Sequence, residues 1–256
     1  MKTVVLDLDG TMYRGSECIE SARLFLEKLR QAGVPYYFLT NNAMRTRAEN
    51  AEHMRKMGYT GIEPAQFYNS AMAAASWAKD NLEGNRAAYI GAAGLEEALQ
   101  DEGFIIDEEH PDAVFVGLDP KAGYADYSRL IMPLLQGARL IGTNKDRILA
   151  RPGGFDAGNG SVVALFEYAS GQTSPDIAKP SPEMLKRFLK YTGLKAENIV
   201  LVGDNLETDI ALGYNTGVET VLTETGVHTR ADIREDGPVP DHIVSSLAEI
   251  DAEAFL

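Results

Sequence analysis

Short apolar runs alternate with stretches of helical periodicity along the chain, the pattern of strand–helix–strand units around a mainly parallel sheet. Residues 3–8 read as a buried first strand, stopped by a turn at Gly10. Glu20–Ala32 reads as a helix with Ala22, Phe25, Leu26 and Leu29 on one face and Gly33 as its C-terminal stop. Residues 35–40 predict a second strand and residues 45–57 a polar helix after it. Both strands end in polar side chains. In open α/β sheets, ligands bind outside the carboxyl ends of the strands.

From about residue 86 the pattern restarts. Residues 86–90, 113–117 and 139–142 are strand candidates, separated by helical stretches at 95–101 and 124–135. A Gly-rich segment at 153–160 leads into a helix at 161–169. A third run follows: helix 182–191, strand 198–202, helix 208–214, strand 219–222. The first and third runs carry polar strand ends and the middle run carries few. The expectation is an α/β protein with a Rossmann-like, mainly parallel sheet core, residues 1–72 and 174–256, around an inserted α/β domain, residues 73–173.

Composition narrows the function. A chain of 256 residues can bury a proper core in one large domain or two small ones. Its formal net charge of -14 leaves no basic excess to neutralise nucleic-acid phosphates, so a nucleic-acid partner is not expected. A small anionic substrate is compatible, because a few cations or a metal reverse the field inside one cleft. The single cysteine, Cys18, cannot form an intrachain disulfide, which fits a reducing compartment. No secretory apolar region opens the sequence, since the run at 4–6 is cut by Asp7 and Asp9, and no stretch approaches a membrane span. A cytoplasmic protein without a membrane partner is the expectation.

The sharpest local signal is Asp7-Leu8-Asp9-Gly10-Thr11 at the end of the first strand. Two carboxylates at this spacing share one side if the strand continues. Alone, the pattern also suits a surface turn or a non-catalytic cation site. Thr40-Asn41-Asn42 closes the second strand with donors that suit a phosphoryl oxygen or, equally, an N-cap for the next helix. Lys179-Pro180 puts a cation, or a plain surface lysine, before a helix. Asp204 ends the strand at 198–202, and Asp209 opens a helix whose dipole it could simply complement. His53, His110, His228 and His242 are dispersed and show no Zn²⁺ ligand spacing.

In order, these stretches resemble the four motifs of the haloacid dehalogenase-like hydrolase superfamily. Asp-x-Asp-Gly-Thr, Thr-Asn-Asn, a cap-sized insertion, Lys-Pro and Gly-Asp-x-x-x-Thr-Asp together look like its NagD and para-nitrophenylphosphatase branch, with a class II cap. Gly142-Thr143-Asn144 with Asp146, and Gly158-Asn159-Gly160-Ser161, extend the likeness into the middle domain. Ala157 and Ala178 depart from it, standing where the branch often has Pro and Gly. Both lie outside the chemistry.

The resemblance implies a Mg²⁺-dependent phosphatase acting on a small phosphorylated metabolite. Asp7 would be the nucleophile and Asp9 the acid and base. Thr40, Asn41 and Asn42 would hold phosphoryl oxygens, and Lys179 would bridge phosphate and nucleophile. Asp7, the Asp9 carbonyl and Asp204 would bind Mg²⁺, with Asn205 and Asp209 behind them. Asp146 and Arg151 are the middle-domain candidates for substrate contact, and a homodimer through the cap is offered by analogy.

The chemistry is coherent with that division of labour. A carboxylate attacking a phosphate monoester meets like charge, so the site must supply positive charge, and an oxygen donor set suits Mg²⁺. Asp9 must be protonated as the leaving oxygen departs, although free Asp has a pKa near ~3.9; anionic neighbours favour its neutral form. A phosphotransferase or mutase uses the same residues with a substrate hydroxyl in place of water. A phospho-accepting receiver also uses Asp, Mg²⁺, Thr and Lys, but needs neither an acid two residues after its nucleophile nor a domain-sized insertion.

Overall fold

The computed structural model describes all residues but Pro152 and Leu256, and only the backbone of Ala150 and Arg151. It contains two compact units. One comprises Met1–Thr40, Arg47–Tyr68 and Lys179–Leu256; the other comprises Asn41–Thr46 and Asn69–Ala178.

The main sheet has six strands in the order His242–Val244, Glu219–Thr223, Ile199–Gly203, Thr3–Leu6, Tyr36–Thr40, Phe67–Asn69. Thr3–Leu6 lies at the centre, with Val5 opposite Leu201 on one side and Tyr37 on the other, both in parallel pairing. All of its residues are buried, as are those of Ile199–Gly203, which explains their near-continuous apolar runs. Ala22, Phe25, Leu26 and Leu29 of the helix Glu20–Ala32 pack with Val4, Leu6, Phe38, Val200 and Val202. The periodicity of that helix follows from a single buried face.

The second unit has a four-stranded sheet, in the order Ile105–Ile106, Arg86–Ile90, Ala113–Val116, Arg139–Gly142, with parallel pairs. A separate hairpin joins Ile148–Arg151 to Gly154–Ala157. The core of this unit includes Ile90, Val114, Val116, Leu140, Val163 and Phe166. No helix among the described residues is long and apolar enough to cross a membrane.

Several boundaries differ from the sequence reading, each for a local reason. The first strand stops at Leu6, because the Leu8 carbonyl already accepts from the N–H groups of Thr11, Met12 and Tyr13 in a tight turn. The helix expected at 124–135 is two, Tyr124–Arg129 and Ile131–Leu135. Pro133 has no N–H to donate and is tolerated only in the first turn of a helix, so a new one begins just before it. The helix expected at 208–214 begins as a π-helical turn, Leu206–Ile210, and continues as Ala211–Thr216. The helix Ser70–Asn81 was not expected at all.

Phe38 is fully buried and stacks on Phe67 with ring centroids 4.7 Å apart. Phe38→Ala should therefore cost about 3–5 kcal/mol of stability, and Phe38→Leu markedly less, in urea unfolding followed by circular dichroism. Equal midpoints for the two variants would contradict this packing.

Candidate active site

Parallel strands deliver their carboxyl ends to one edge, and the charged residues gather there. Asp7 follows Thr3–Leu6, and its N–H donates to the Val202 carbonyl at 2.9 Å, so the ladder runs one residue past the strand. Asp204 follows Ile199–Gly203 and is 1 % exposed. Lys179 arrives from the segment before the helix Pro182–Thr192 and is also buried. Its ammonium donates to Asp7 Oδ1 at 2.6 Å, to Asp209 Oδ1 at 2.6 Å and to the Leu39 carbonyl at 2.9 Å. An ammonium has three donors, and these three partners match them.

The π-helical turn sets Asp209. The N–H groups of Asp209 and Ile210 both donate to the Asn205 carbonyl, and the Asn205 N–H donates back to Asp209 Oδ2 at 3.2 Å. Asn205 Oδ1 accepts from the Glu207 N–H at 2.8 Å and so caps the turn. A Cβ at Gly203 would come within 2.3 Å of the Asp209 carboxylate, so any larger residue there would displace it. Gly10 works similarly for Asp204: its φ is +92°, and a Cβ would stand 2.3 Å from Asp204 Oδ2.

Oxygens of Asp7, Asp204 and Asp209 lie within 4.8 Å of one another. Three carboxylates thus face one ammonium. Burial, opposed by Lys179 and reinforced by Asp209 and Asp204, raises the Asp7 carboxyl well above the ordinary range. Burial and the Asp209 charge push Asp204 up to about 6, against hydrogen bonds from Val227 and Thr11. Burial disfavours the charged form of Lys179, but Asp209 and Asp7 outweigh it and its pKa moves up. The cluster therefore favours a further positive charge, and a buried all-oxygen donor set fits a hard divalent cation such as Mg²⁺.

The remaining expected residues are placed as follows. Asp9 is exposed; its carboxylate is not in the cluster, and its backbone bridges to Tyr13. Thr40 is buried at the end of its strand. In the second unit, the Asn41 amide donates to Asp146 Oδ2 at 3.1 Å, and Asn144 donates to the same oxygen at 2.5 Å. Asn42 Oδ1 accepts from the Met44 N–H at 3.1 Å, so it closes a local turn and does not cap the helix, which starts later, at Arg47. Arg151 lies at the end of Ile148–Arg151, with its side chain outside what is described.

Sequence reasoning missed Thr11 and Val227, which hydrogen-bond Asp204 from the hydroxyl and the backbone N–H. Thr11 stands inside the first motif and was legible as a neighbour. Val227 contributes only its backbone, which leaves no trace in residue type.

Comparison with known proteins agrees with this picture. A family model described as haloacid dehalogenase-like hydrolase matches residues 4–105, and a second HAD-like hydrolase model matches residues 176–250. An acid sugar phosphatase of Staphylococcus aureus is 32% identical over 253 residues, covering 98% of this chain and 97% of that protein. Among solved structures, NagD from E. coli K-12 is 32% identical with a TM-score of 0.89, covering 98% of this chain and 99% of its own. A double mutant of the thermostable NPPase of Geobacillus stearothermophilus is 33% identical with a TM-score of 0.89, and both chains are covered completely.

Lys179 donates to both Asp7 and Asp209, so Lys179→Met should leave these two carboxylates facing each other without their shared cation. The expected loss is about 3–5 kcal/mol in metal-free chemical denaturation. A variant as stable as the parent would show that these charges are not desolvated.

Proposed function

The chain belongs to the haloacid dehalogenase-like hydrolases, in their NagD-like branch, and is a phosphoric monoester hydrolase; from that premise we propose that it is a Mg²⁺-dependent phosphatase of small metabolites, acting through a phospho-aspartate on Asp7. Sugar phosphates, nucleoside monophosphates or similar compounds are its substrates on this reading, and para-nitrophenyl phosphate is an artificial one. The observation that carries it is the Asp7 carboxylate, held at 2.6 Å by a buried Lys179 beside two further carboxylates at a strand-end edge.

Asp7 attacks phosphorus in line, and the bond from phosphorus to the leaving oxygen breaks as Asp9 gives that oxygen its proton. Asp9 then takes a proton from water, whose oxygen attacks the phosphoryl group and releases Asp7. This splits one hard displacement into two easier ones. Lys179 withdraws charge from the Asp7 oxygen it contacts, which lessens repulsion between nucleophile and phosphate. Thr40 and the Asn41 backbone hold phosphoryl oxygens.

Asp7, Asp204 and the Asp9 carbonyl would hold Mg²⁺, with Asp209 and Asn205 behind. When bound, the ion would neutralise phosphoryl charge in the transition state.

Phosphate, metal and reacting oxygen are common to every phosphomonoester. Discrimination among leaving groups is therefore assigned to the second unit, acting as a cap, with Asp146 and Arg151 as its contacts. A panel of phosphorylated metabolites ranked by kcat/KM tests this assignment. Unchanged ratios on replacing residues 146–155 would move specificity elsewhere.

Asp7→Asn should keep the fold and lose turnover by several orders of magnitude, read as phosphate release. Near-normal turnover would refute the covalent route. Asp9→Asn should slow sugar phosphates, whose alkoxides need a proton, far more than para-nitrophenyl phosphate, whose phenolate leaves readily. Equal losses on both would remove Asp9 from the acid role.

Mg²⁺ should raise the melting temperature by binding the folded state, with a gain set by RT ln(1 + [L]/Kd). Asp204→Ala should blunt that rise. Unaltered Mg²⁺ affinity in that variant would show that the ion is held elsewhere.

A further inference from the structure

Asp204 is enclosed on more than one side. Its Oδ1 accepts from the Thr11 hydroxyl at 3.1 Å and its Oδ2 from the Val227 N–H at 2.7 Å. A Cβ on Gly226 would stand 1.9 Å from Oδ2, so the turn at 225–227 lies flat against the carboxylate. That turn is itself tied down. Arg14 donates to the Thr225 carbonyl from Nε at 2.9 Å and from a second guanidinium nitrogen, and the Thr225 hydroxyl donates to the Gly10 carbonyl at 2.9 Å. None of Arg14, Thr225, Gly226 or Val227 falls in the four motifs, and all lie in the first unit.

We propose that Arg14 and the turn at 225–227 are positioning elements for Asp204: they fix the orientation of its carboxylate and thereby set the affinity of the site for a divalent cation. The inference rests on the Mg²⁺ reading above.

The physical argument concerns lone pairs and freedom of rotation. Each carboxylate oxygen of Asp204 has about two acceptor sites, and one on each oxygen is taken by Thr11 or Val227. The remainder stay open to a cation while the side-chain torsions are fixed. An unrestrained Asp would have to be ordered on binding, at the expense of affinity. Hydrogen-bond partners of metal ligands typically change affinity by about 10- to 100-fold. Arg14 acts on Asp204 through the turn. It grips the carbonyl of Thr225, in the peptide plane next to the one that carries the Val227 N–H, and so steadies the turn from which that N–H points.

Isothermal titration of the full-length, metal-stripped protein with Mg²⁺ tests this. Thr11→Val should weaken binding about 10- to 100-fold, and Thr11→Ser, which restores the hydroxyl, should recover most of it. Arg14→Ala, acting one step further out, should weaken it by about 3- to 10-fold. Gly226→Ala should weaken it as well, by moving the carboxylate. Turnover of Arg14→Ala should need correspondingly more Mg²⁺ for half-maximal rate and should recover as Mg²⁺ is raised, which a merely damaged fold would not do.

If the parent protein binds Mg²⁺ while Arg14→Ala and Gly226→Ala bind it equally well, the positioning inference fails and the metal reading stands. If the parent shows no saturable Mg²⁺ binding, both fail. Should Gly226→Ala not fold, Arg14→Ala alone decides.

Discussion

Three carboxylates and one ammonium meet at the carboxyl edge of the main sheet, and the local structure there is arranged around that unequal charge. Removing any of these groups from water is costly, and only close, hydrogen-bonded pairing offsets the cost. Lys179 satisfies two carboxylates and one carbonyl at once, which is why it can be buried. Burial, together with the negative charge left over, holds the Asp7 and Asp204 carboxyls above their ordinary range. Proteins rarely keep such an imbalance without use, because strongly perturbed groups gather where protons, metals or substrates are handled. Parallel pairing is the precondition: it brings the ends of Thr3–Leu6 and Ile199–Gly203 side by side although they are far apart in sequence.

The sequence made this edge readable because both of its determinants leave marks in residue type. Strands buried on both faces must be apolar throughout, and a polar residue at their ends has no packing reason to be there. The helix Ser70–Asn81 shows the opposite case. Its residues from Ser70 to Ser76 are all buried, so the segment has no polar face and no helical period to detect. Its only local signal is Asn69, whose side chain accepts from the Met72 N–H as an N-cap. The hairpin Ile148–Arg151 with Gly154–Ala157 was equally hidden, since Ile148 and Phe155 are exposed and the alternation that marks a half-buried strand is missing. Backbone contributions such as the Val227 N–H carry no residue signature at all.

Polar order in the second unit is built on amides. The buried Asn159 side chain donates to the Val116 carbonyl, the Thr143 hydroxyl and the Asn144 carbonyl at 3.0–3.1 Å. Asn144 in turn donates to Asp146, which also accepts from Asn41. Such a network specifies one arrangement of the loop at 143–146, because breaking any member strands a polar group. It also ties the residue that follows Thr40 to that loop. The motif Thr-Asn-Asn is thus divided between the two units, the threonine in one and the asparagines in the other.

The π-helical turn at Leu206–Ile210 inserts one residue relative to ordinary α winding, which amounts to about 100° of rotation about the axis. Within this segment Asp209 meets Lys179 and, a residue later, Ile210 packs in the apolar interior with Leu222. Loss of a single residue would leave the composition almost intact yet carry the carboxylate a quarter of the way around the helix. At this turn the number of residues matters as well as their identity. Substitutions explore the identity of a position, whereas only insertions and deletions explore phase, and across these five residues phase is what joins the charge to the sheet.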